Sequence, residues 1–519
     1  MTIKVLGAIL WDLYPPESGS PLDTRDEVKR VWDTIVRVTE EEFGDCDQVR
    51  LYLLSSSATD ANETLERLTS HNAASASVVV PHVISSHDDI KAFYTAKQDL
   101  DAREISQVRV VCCRASRRAF WTAVCRELFT PVHTWAVESG APSVFNVDAV
   151  DQATVQDTIK RFLRTLPSLL GQPEVERSQV IPAETFVHGY STRRGGVSTL
   201  PTTTSMNLYY TDKKRDPQVV IDENLRRLAQ VGGFDNSRFH IIRTEHGHNV
   251  WRVGREQQPA RYDALVTDLR DVTIAAAGAD CIVLLFADPV AMVIGAAHAG
   301  WRGTVQRVAA HVVRVMTTEY GSKPQDIRVA LGPGLRMGCF RMLEEESQPF
   351  FDIHPTCLSK DVHPRSHFVC ERDFNCASPT TDSQQKTQDI VVSVVVPGKD
   401  FLPVSLSDDK ASSLREEEHI GPTFGGSDPS EDVKRHPGVT SKPSESKDVK
   451  EVKRKYLFAD LQLSNRLVLE GEGVCSNLID TSTSHCTKCN PHLYFSYERD
   501  GVPFGNQIGF ICMPSRPRS

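Results

Sequence analysis

The sequence predicts an α/β protein in which an N-terminal α/β domain, residues 1–175, is followed by an α+β domain, residues 179–519. In the first part, short apolar runs typical of strands alternate with amphipathic stretches typical of helices. In the second part, two apolar runs joined by Asp288-Pro289 predict a hairpin that leads into a helix. A chain of 519 residues is also longer than one average domain, which favours this division.

The N-terminal domain contains an apolar run at 5–13 and four later strand-like segments. Helical stretches such as 115–128 separate the segments, and this spacing predicts a mainly parallel sheet. The run 5–13 contains Asp12 and lacks the cleavage site of a secretory signal, so we interpret it as a buried strand. No glycine-rich phosphate loop occurs in this part, and its role is left open. The four later segments are 49–54, 77–83, 107–113 and 132–137.

The composition argues against a nucleic-acid-binding or membrane-spanning protein. Lys and Arg number 59 against 68 Asp and Glu, a formal charge of −9, so the chain lacks the basic surface that phosphate backbones require. No stretch approaches the roughly 18 apolar residues of a transmembrane helix. The 13 cysteines are scattered, and without a secretory signal they indicate a reducing compartment. We therefore expect a soluble cytoplasmic protein, while nuclear or organelle-associated pools stay open.

A long polar segment interrupts the second domain at about 371–454. It is rich in Ser, Asp, Lys, Pro and Glu, with one apolar island at 390–406. From about residue 408 onward, too little apolar surface is present to offset an ordering entropy of about 1–2 kcal/mol per residue. We predict an insertion that is largely disordered from about residue 408.

The hairpin predicted in the second domain places two candidate metal ligands on one face. If residues 289 and 290 form a two-residue loop, Cys281 lies directly opposite His298. Opposite residues have Cβ atoms about 4.5–5.5 Å apart, which suits a thiolate and an imidazole bound to one tetrahedral zinc ion. A slip of one residue would move the two side chains to opposite faces, so the prediction depends on the strand register.

A third ligand is expected after the strand-like run 239–243. His246 and His248 both follow this run and lie on the same strand face, so spacing does not decide between them. Three protein ligands would leave the fourth position of zinc open, as in catalytic sites. The segment 304–316, after the hairpin, has apolar residues along one helical face and is predicted to pack on the sheet.

A second cysteine motif lies near the C-terminus. Cys486 and Cys489 have the C-x-x-C spacing that occurs in zinc ribbons. A ribbon needs a second pair of this kind, and the sequence contains none. We therefore assign no metal to these two cysteines.

Several motifs, in order along the chain, resemble those of the YfiH-like or laccase-domain family, whose members were once named polyphenol oxidases. The resemblance covers about 250 residues and excludes the N-terminal domain and the insertion. A catalytic domain that follows an N-terminal region also resembles the layout of animal members of this family. The motifs are Ser191 to Ser198, Met206-Asn207-Leu208, His246-Gly247, Ala279-Asp280-Cys281 and His298 to Gly303.

The resemblance implies a fold with a mixed sheet and a zinc-dependent purine nucleoside phosphorylase. Such an enzyme would convert adenosine, inosine, guanosine or methylthioadenosine and phosphate into free base and ribose 1-phosphate. Adenosine deamination is a second activity that the resemblance implies. It also selects His246 over His248, so that His246, Cys281 and His298 are the expected catalytic and metal-binding residues.

Two further residues are candidates for binding substrate or phosphate. Arg193 precedes Gly195-Gly196, and a guanidinium beside free backbone N–H groups suits an oxyanion. Asn207 belongs to one of the motifs shared with the family. Both are expectations from the resemblance combined with the chemistry of the residue types.

Two other functions stay open. A copper-dependent polyphenol oxidase would need several His-x-His pairs, and only His246-Gly247-His248 qualifies. A non-catalytic scaffold would use zinc for structure and recruit protein partners through the N-terminal domain. Metal content and activity on nucleosides distinguish these functions from a phosphorylase.

Overall fold

The computed structural model describes residues 5–14, 25–43, 48–69, 79–112, 115–139, 150–360, 393–394 and 455–515. Except for residues 393–394, the predicted insertion at 371–454 and its predicted disorder lie outside these ranges. None of the helices in the described part of the chain has the length and apolar character that a membrane crossing needs.

The elements alternate between strand and helix in the first part of the chain, as the sequence predicts. The strands are β1 Val5–Asp12, β2 Gln48–Ser55, β3 Val79–Ser85, β4 Gln107–Cys112, β5 Thr134–Ser139, β6 Val175–Glu176, β7 Val187–Ser191, β8 Phe239–Ile241, β9 Val250–Arg252, β10 Ala264–Thr267, β11 Thr273–Gly278, β12 Ile282–Asp288, β13 Val293–Ala299, β14 Arg328–Leu331, β15 Arg341–Leu343, β16 Leu358–Ser359, β17 Ser393–Val394, β18 Tyr456–Ala459, β19 Ile479–Asp480 and β20 Gln507–Cys512. The helices are α1 Arg25–Phe43, α2 Ala58–Thr69, α3 Asp89–Ala102, α4 Ala115–Leu128, α5 Gln152–Thr165, α6 Gln218–Gly232, α7 Trp301–Val305, α8 Val308–Tyr320, α9 Glu344–Phe351, α10 Leu461–Gly471 and α11 Tyr497–Asp500.

The N-terminal part forms the predicted, mainly parallel sheet. Its strand order is β17-β3-β2-β1-β4-β5, and only the β17–β3 pair is antiparallel. Ile9 and Trp11 of β1 pack in one buried cluster, while Ala8 and Leu10 pack in another. Because successive residues point to opposite faces, both faces of this sheet are covered, which explains the continuous apolar runs.

The second part is built on two mixed sheets that pack face to face. One has the order β6-β7-β20-β11-β8 and the other β19-β14-β12-β13-β10-β9, each with parallel and antiparallel pairs. Buried side chains such as Tyr190, Ile274 and Leu285 fill the space between the sheets. Helix α6 covers the outer face of the first sheet, and α8 and α10 cover that of the second. The predicted mixed sheet is confirmed.

The hairpin β12–β13 forms, but the predicted two-residue loop is wrong. Asp288 pairs with Val293, so residues 289–292 make a four-residue loop, and Val283 lies opposite His298. The Asp288 side chain accepts hydrogen bonds from the N–H groups of Val290 and Ala291 at 2.8 and 2.9 Å, which stabilises the longer turn.

The helix predicted at 304–316 is divided in two. α7 ends at Val305, and Arg307 has a left-handed φ of 59°, so α8 begins only at Val308. The predicted apolar face of α8 packs on the sheet and is buried: Val308, Ala309, Val312, Val313 and Met316.

Candidate metal centre

Three short segments bring the predicted metal ligands together. His246 lies in the loop after β8, Cys281 lies directly before β12, and His298 lies in β13. Their ligand atoms all lie within 4.8 Å of one another. One thiol and two imidazoles at this spacing can hold a single metal ion.

Cys281 and His298 share a face although the register differs from the predicted one. The shift amounts to two residues, because Val283 rather than Cys281 lies opposite His298. Side chains alternate with a period of two, so a shift of two residues leaves the face unchanged. The two ligands are therefore diagonal rather than direct neighbours across the hairpin.

A buried carboxylate shapes the loop that carries His246. Asp263 lies directly before β10 and is fully buried. Its two oxygens accept hydrogen bonds from three consecutive backbone N–H groups, those of Glu245, His246 and Gly247, at 3.1, 3.1 and 2.8 Å. His246 has a left-handed φ of 61°, which is unfavourable for a residue with a Cβ, and these bonds offset that cost.

The same carboxylate orients His298. Its Nδ1 lies 2.9 Å from Asp263 Oδ1, and because a carboxylate only accepts, Nδ1 donates and Nε2 is left for a metal. Thr244 donates its hydroxyl to the same oxygen at 2.6 Å. Burial alone would lower the pKa of His298, but Cys281 and Asp263 outweigh burial and raise this pKa to about 10, so a metal ion would bind Nε2 in place of a proton. Asp263 thus positions two of the three ligands.

His248 has other partners. Its ring lies 4.4 Å from that of His311, centroid to centroid, and its Nδ1 lies 2.9 Å from Gln306 Oε1. The ring of His246, by contrast, lies 5.1 Å from that of His298. The fold therefore separates two histidines that spacing alone leaves equivalent.

Arg193 and Asn207, predicted to contact substrate or phosphate, are both buried. Asn207 donates to Asp216 at 2.9 Å and accepts from the backbone N–H of Asn506 at 3.0 Å. The guanidinium of Arg193 donates to the carbonyl oxygens of Thr204, Pro201 and Pro491, at 2.7, 3.0 and 3.0 Å. Most polar side-chain atoms of the two residues therefore have partners within the protein, and their contact with substrate stays a prediction.

Asp263 and Arg302 are two site residues that the sequence patterns did not single out. Asp263 stands at the start of the apolar run Ala264–Thr267, and an acid at that place is the signal that could have identified it. Arg302 follows Trp301 and is exposed, with its guanidinium 4.9 Å from the centroid of the Trp301 ring. Desolvation and His298 lower the pKa of His246, and the charge of Arg302 lowers it further. Arg302 therefore adds positive charge beside the three ligands.

Replacing Gly300 by alanine is expected to weaken metal binding. A Cβ at this position would lie 2.8 Å from Cys281 Sγ, so the sulfur would have to move. We expect at least a roughly tenfold loss of metal affinity, by analogy with mutations that disturb the residues around a metal site. Titration with a metal-binding dye measures this loss.

The matched control for this prediction is Gly471→Ala, because a Cβ there would meet no atom within 4 Å. We expect this variant to bind metal as the unmodified chain does. Equal metal affinity of the two glycine variants would contradict the role assigned to Gly300.

The fold and the site together define a class of protein: paired mixed sheets that bring one cysteine and two histidines close enough to hold a metal ion. The profile of the family described as "Multi-copper polyphenol oxidoreductase laccase" matches residues 187–383 and 420–514. The chain belongs to this laccase-domain, or YfiH, family, as the motifs in its sequence predict.

Proteins similar in sequence to this chain occur in animals and bacteria. Human purine nucleoside phosphorylase LACC1 is 31% identical over 453 residues, which cover 85% of this chain and 84% of the human protein. Purine nucleoside phosphorylase YlmD of Bacillus subtilis (strain 168) is 31% identical over 195 residues, 36% of this chain and 68% of that protein. Adenosine deaminase RL5, of an unknown prokaryotic organism, is 31% identical over 193 residues, 35% of this chain and 72% of that protein.

Solved structures of the family are also similar to this chain. The crystal structure of YlmD from Geobacillus stearothermophilus matches with 22% identity and a TM-score of 0.42, covering 64% of this chain and 93% of that one.

The match to the human relative is longer than the family profile, so it includes part of the N-terminal region.

Proposed function

We propose that this protein is a zinc-dependent purine nucleoside phosphorylase. The observation that carries the proposal is the convergence of His246, Cys281 and His298 within 4.8 Å, in a chain whose relatives are named for that activity. Substrates would be a purine nucleoside and phosphate, and the products a free base and ribose 1-phosphate.

The donor set of the triad fits zinc. One thiolate and two imidazoles are common ligands of Zn²⁺, and three protein ligands are typical of its catalytic sites. A copper oxidase needs further His-x-His pairs, and His248 is instead hydrogen-bonded to Gln306 and packed against the ring of His311. When bound, zinc would supply a Lewis-acidic positive charge at this place.

The chain's own residues would hold the anionic substrate and the ligands in position. Asp263 keeps Nε2 of His298 available and holds the loop of His246. Arg302 makes no ion pair with any other described residue, so its guanidinium is available to bind a phosphate. We retain Arg193 and Asn207 as further candidates for contact with substrate or phosphate.

Replacing Arg302 by glutamine is expected to raise the KM for phosphate more than the KM for nucleoside. A charge-assisted hydrogen bond contributes about 1.5–3 kcal/mol, which corresponds to an increase of roughly 10- to 150-fold. Steady-state kinetics with phosphate as the varied substrate measures this change.

The matched control is Arg314→Gln, since Arg314 is exposed on α8 and paired with Glu472. We expect its kinetic constants to stay unchanged. A larger effect on the nucleoside KM than on the phosphate KM would assign Arg302 to the nucleoside instead.

The test of the proposed function uses purified full-length protein with adenosine, inosine and methylthioadenosine, each with and without phosphate. Chromatography of the products should show free base and ribose 1-phosphate only when phosphate is present. Base release that does not depend on phosphate, or no release from any nucleoside, would contradict a phosphorylase.

Adenosine deamination is a second candidate activity, because the similar protein RL5 is named an adenosine deaminase. The same incubation separates the two reactions, since deamination forms inosine from adenosine without phosphate. Oxidation of phenolic dyes together with bound copper would support the polyphenol oxidase instead. An inert protein with tightly bound zinc would support a scaffold.

A further inference from the structure

A second group of metal-ligand residues lies outside the triad. Cys339 ends a short helical turn before β15, and Cys486 and Cys489 lie in the segment after β19. The three sulfur atoms lie within 4.8 Å of one another, and Cys339 Sγ is 3.3 Å from Cys489 Sγ. The C-x-x-C pair therefore meets a third sulfur from a distant part of the chain.

The geometry of this group matches a metal site. Two sulfurs bound to one tetrahedral zinc at about 2.3 Å lie about 3.8 Å apart. The distances within the group are 3.3 Å for one pair and at most 4.8 Å for the others, so small side-chain rotations would bring all three onto one ion. Cys486 is buried while Cys339 and Cys489 are half-buried, which leaves solvent access for a fourth ligand.

We propose that Cys339, Cys486 and Cys489 bind a second zinc ion through their three sulfurs, with solvent as the fourth ligand. Each thiol that binds releases its proton to solvent, as thiolate coordination requires. Three soft sulfur donors favour zinc over magnesium, calcium or manganese. A second C-x-x-C pair, which the zinc-ribbon pattern demands, is not needed because the fold supplies Cys339.

This zinc would join chain segments that are far apart in sequence. Cys339 and Cys489 are separated by 150 positions, and the predicted insertion lies between them. Cross-linking such distant positions restricts the unfolded chain and thereby stabilises the folded one. We therefore assign this ion a structural role.

The two segments also support the turn that carries Cys281. Thr487 Oγ1 donates to Asp280 Oδ1 at 2.6 Å, and the backbone N–H of Leu335 donates to Asp280 O at 3.0 Å. Gly334 and Cys486 form a parallel bridge beside them. A metal that fastens residues 334–339 to residues 486–489 would hold Asp280, and so its neighbour Cys281, in place.

The test is the zinc content of purified full-length chains after removal of loosely bound metal. The unmodified protein should contain about two zinc ions per chain, and Cys489→Ser and His298→Ala should each contain about one. The double variant should contain none, and Cys475→Ser, which changes an exposed cysteine, should retain two. Two ions in Cys489→Ser would overturn the second site, whereas two ions in His298→Ala would overturn the triad site.

A second measurement does not depend on any variant and uses alkylation of the native chain followed by peptide mass analysis. Half-buried Cys339 and Cys489 should react at least about tenfold more slowly with zinc bound than after chelation, while Cys475 should react equally in both states. Equal labelling of Cys339 and Cys489 with and without chelator would overturn the proposal. So would a Cys339–Cys489 disulfide in the protein as isolated, found as a loss of two hydrogens.

Discussion

Replacing His298 by alanine is expected to abolish phosphorolysis and to remove the metal from the triad. His298 is buried and hydrogen-bonded to Asp263, so its replacement removes one of the three proposed ligands. Lewis-acid stabilisation contributes several kcal/mol to a transition state, and each 1.36 kcal/mol is a factor of ten. We therefore expect activity to fall by at least on the order of 10³-fold.

Two other variants make this expectation specific. Cys281→Ser exchanges a half-buried thiol for a hydroxyl, a poor ligand for zinc, and should lose the same metal and activity with little change in side-chain volume. His248→Ala removes a nearby histidine whose ring packs against that of His311, and this variant should retain both the metal and the activity. Full phosphorolysis by a folded His298→Ala chain without triad metal would contradict the mechanism.

The hairpin shows which features of this site can be predicted from the sequence pattern. The prediction that Cys281 and His298 share a face is confirmed, although the loop is two residues longer than predicted. Side chains alternate between the two faces of a strand with a period of two, so a shift of two residues keeps both side chains on one face. The loop length depends on a local feature, the two hydrogen bonds that Asp288 accepts, which the Asp-Pro pair does not specify.

Sequence patterns of this kind do not predict contacts between distant segments. His246 and His248 have equivalent spacing, so the choice of His246 came from the family resemblance; in the fold, packing of the loop against Asp263 and of His248 against His311 separates them. Cys339 has no sequence feature that relates it to Cys489, from which 150 positions separate it. Periodicity predicts the secondary structure of one segment, whereas contacts between distant residues depend on how several segments pack together.

The N-terminal sheet was easier to predict. Its central strands β1 and β2 are buried on both faces and appear as apolar runs, and the observed bounds of the five parallel strands differ from the predicted ones by at most two residues. Its role and the domain boundary near residue 175 stay predictions.

Replacing Asp263 by asparagine is expected to weaken metal binding about 10- to 100-fold, the usual effect of removing a carboxylate that orients a metal-binding histidine. The carboxylate accepts from three backbone N–H groups, from Thr244 and from His298. The new NH₂ group would face donors on at least one side, and an unsatisfied buried donor costs about 1–3 kcal/mol of unfolding free energy. Metal titration and chemical denaturation measure the two effects separately.

Asp288→Asn is the matched control, because Asp288 is equally buried, lies at the far end of β12, and also accepts backbone N–H groups. Its Oδ1 accepts both hydrogen bonds, so an asparagine can keep them, and any change in the free energy of unfolding should leave metal affinity unchanged. If both variants lost metal to the same extent, the loss would follow from general destabilisation, and Asp263 would have no positioning role. A specific loss in Asp263→Asn means that this one carboxylate couples the His246 loop to the ring of His298.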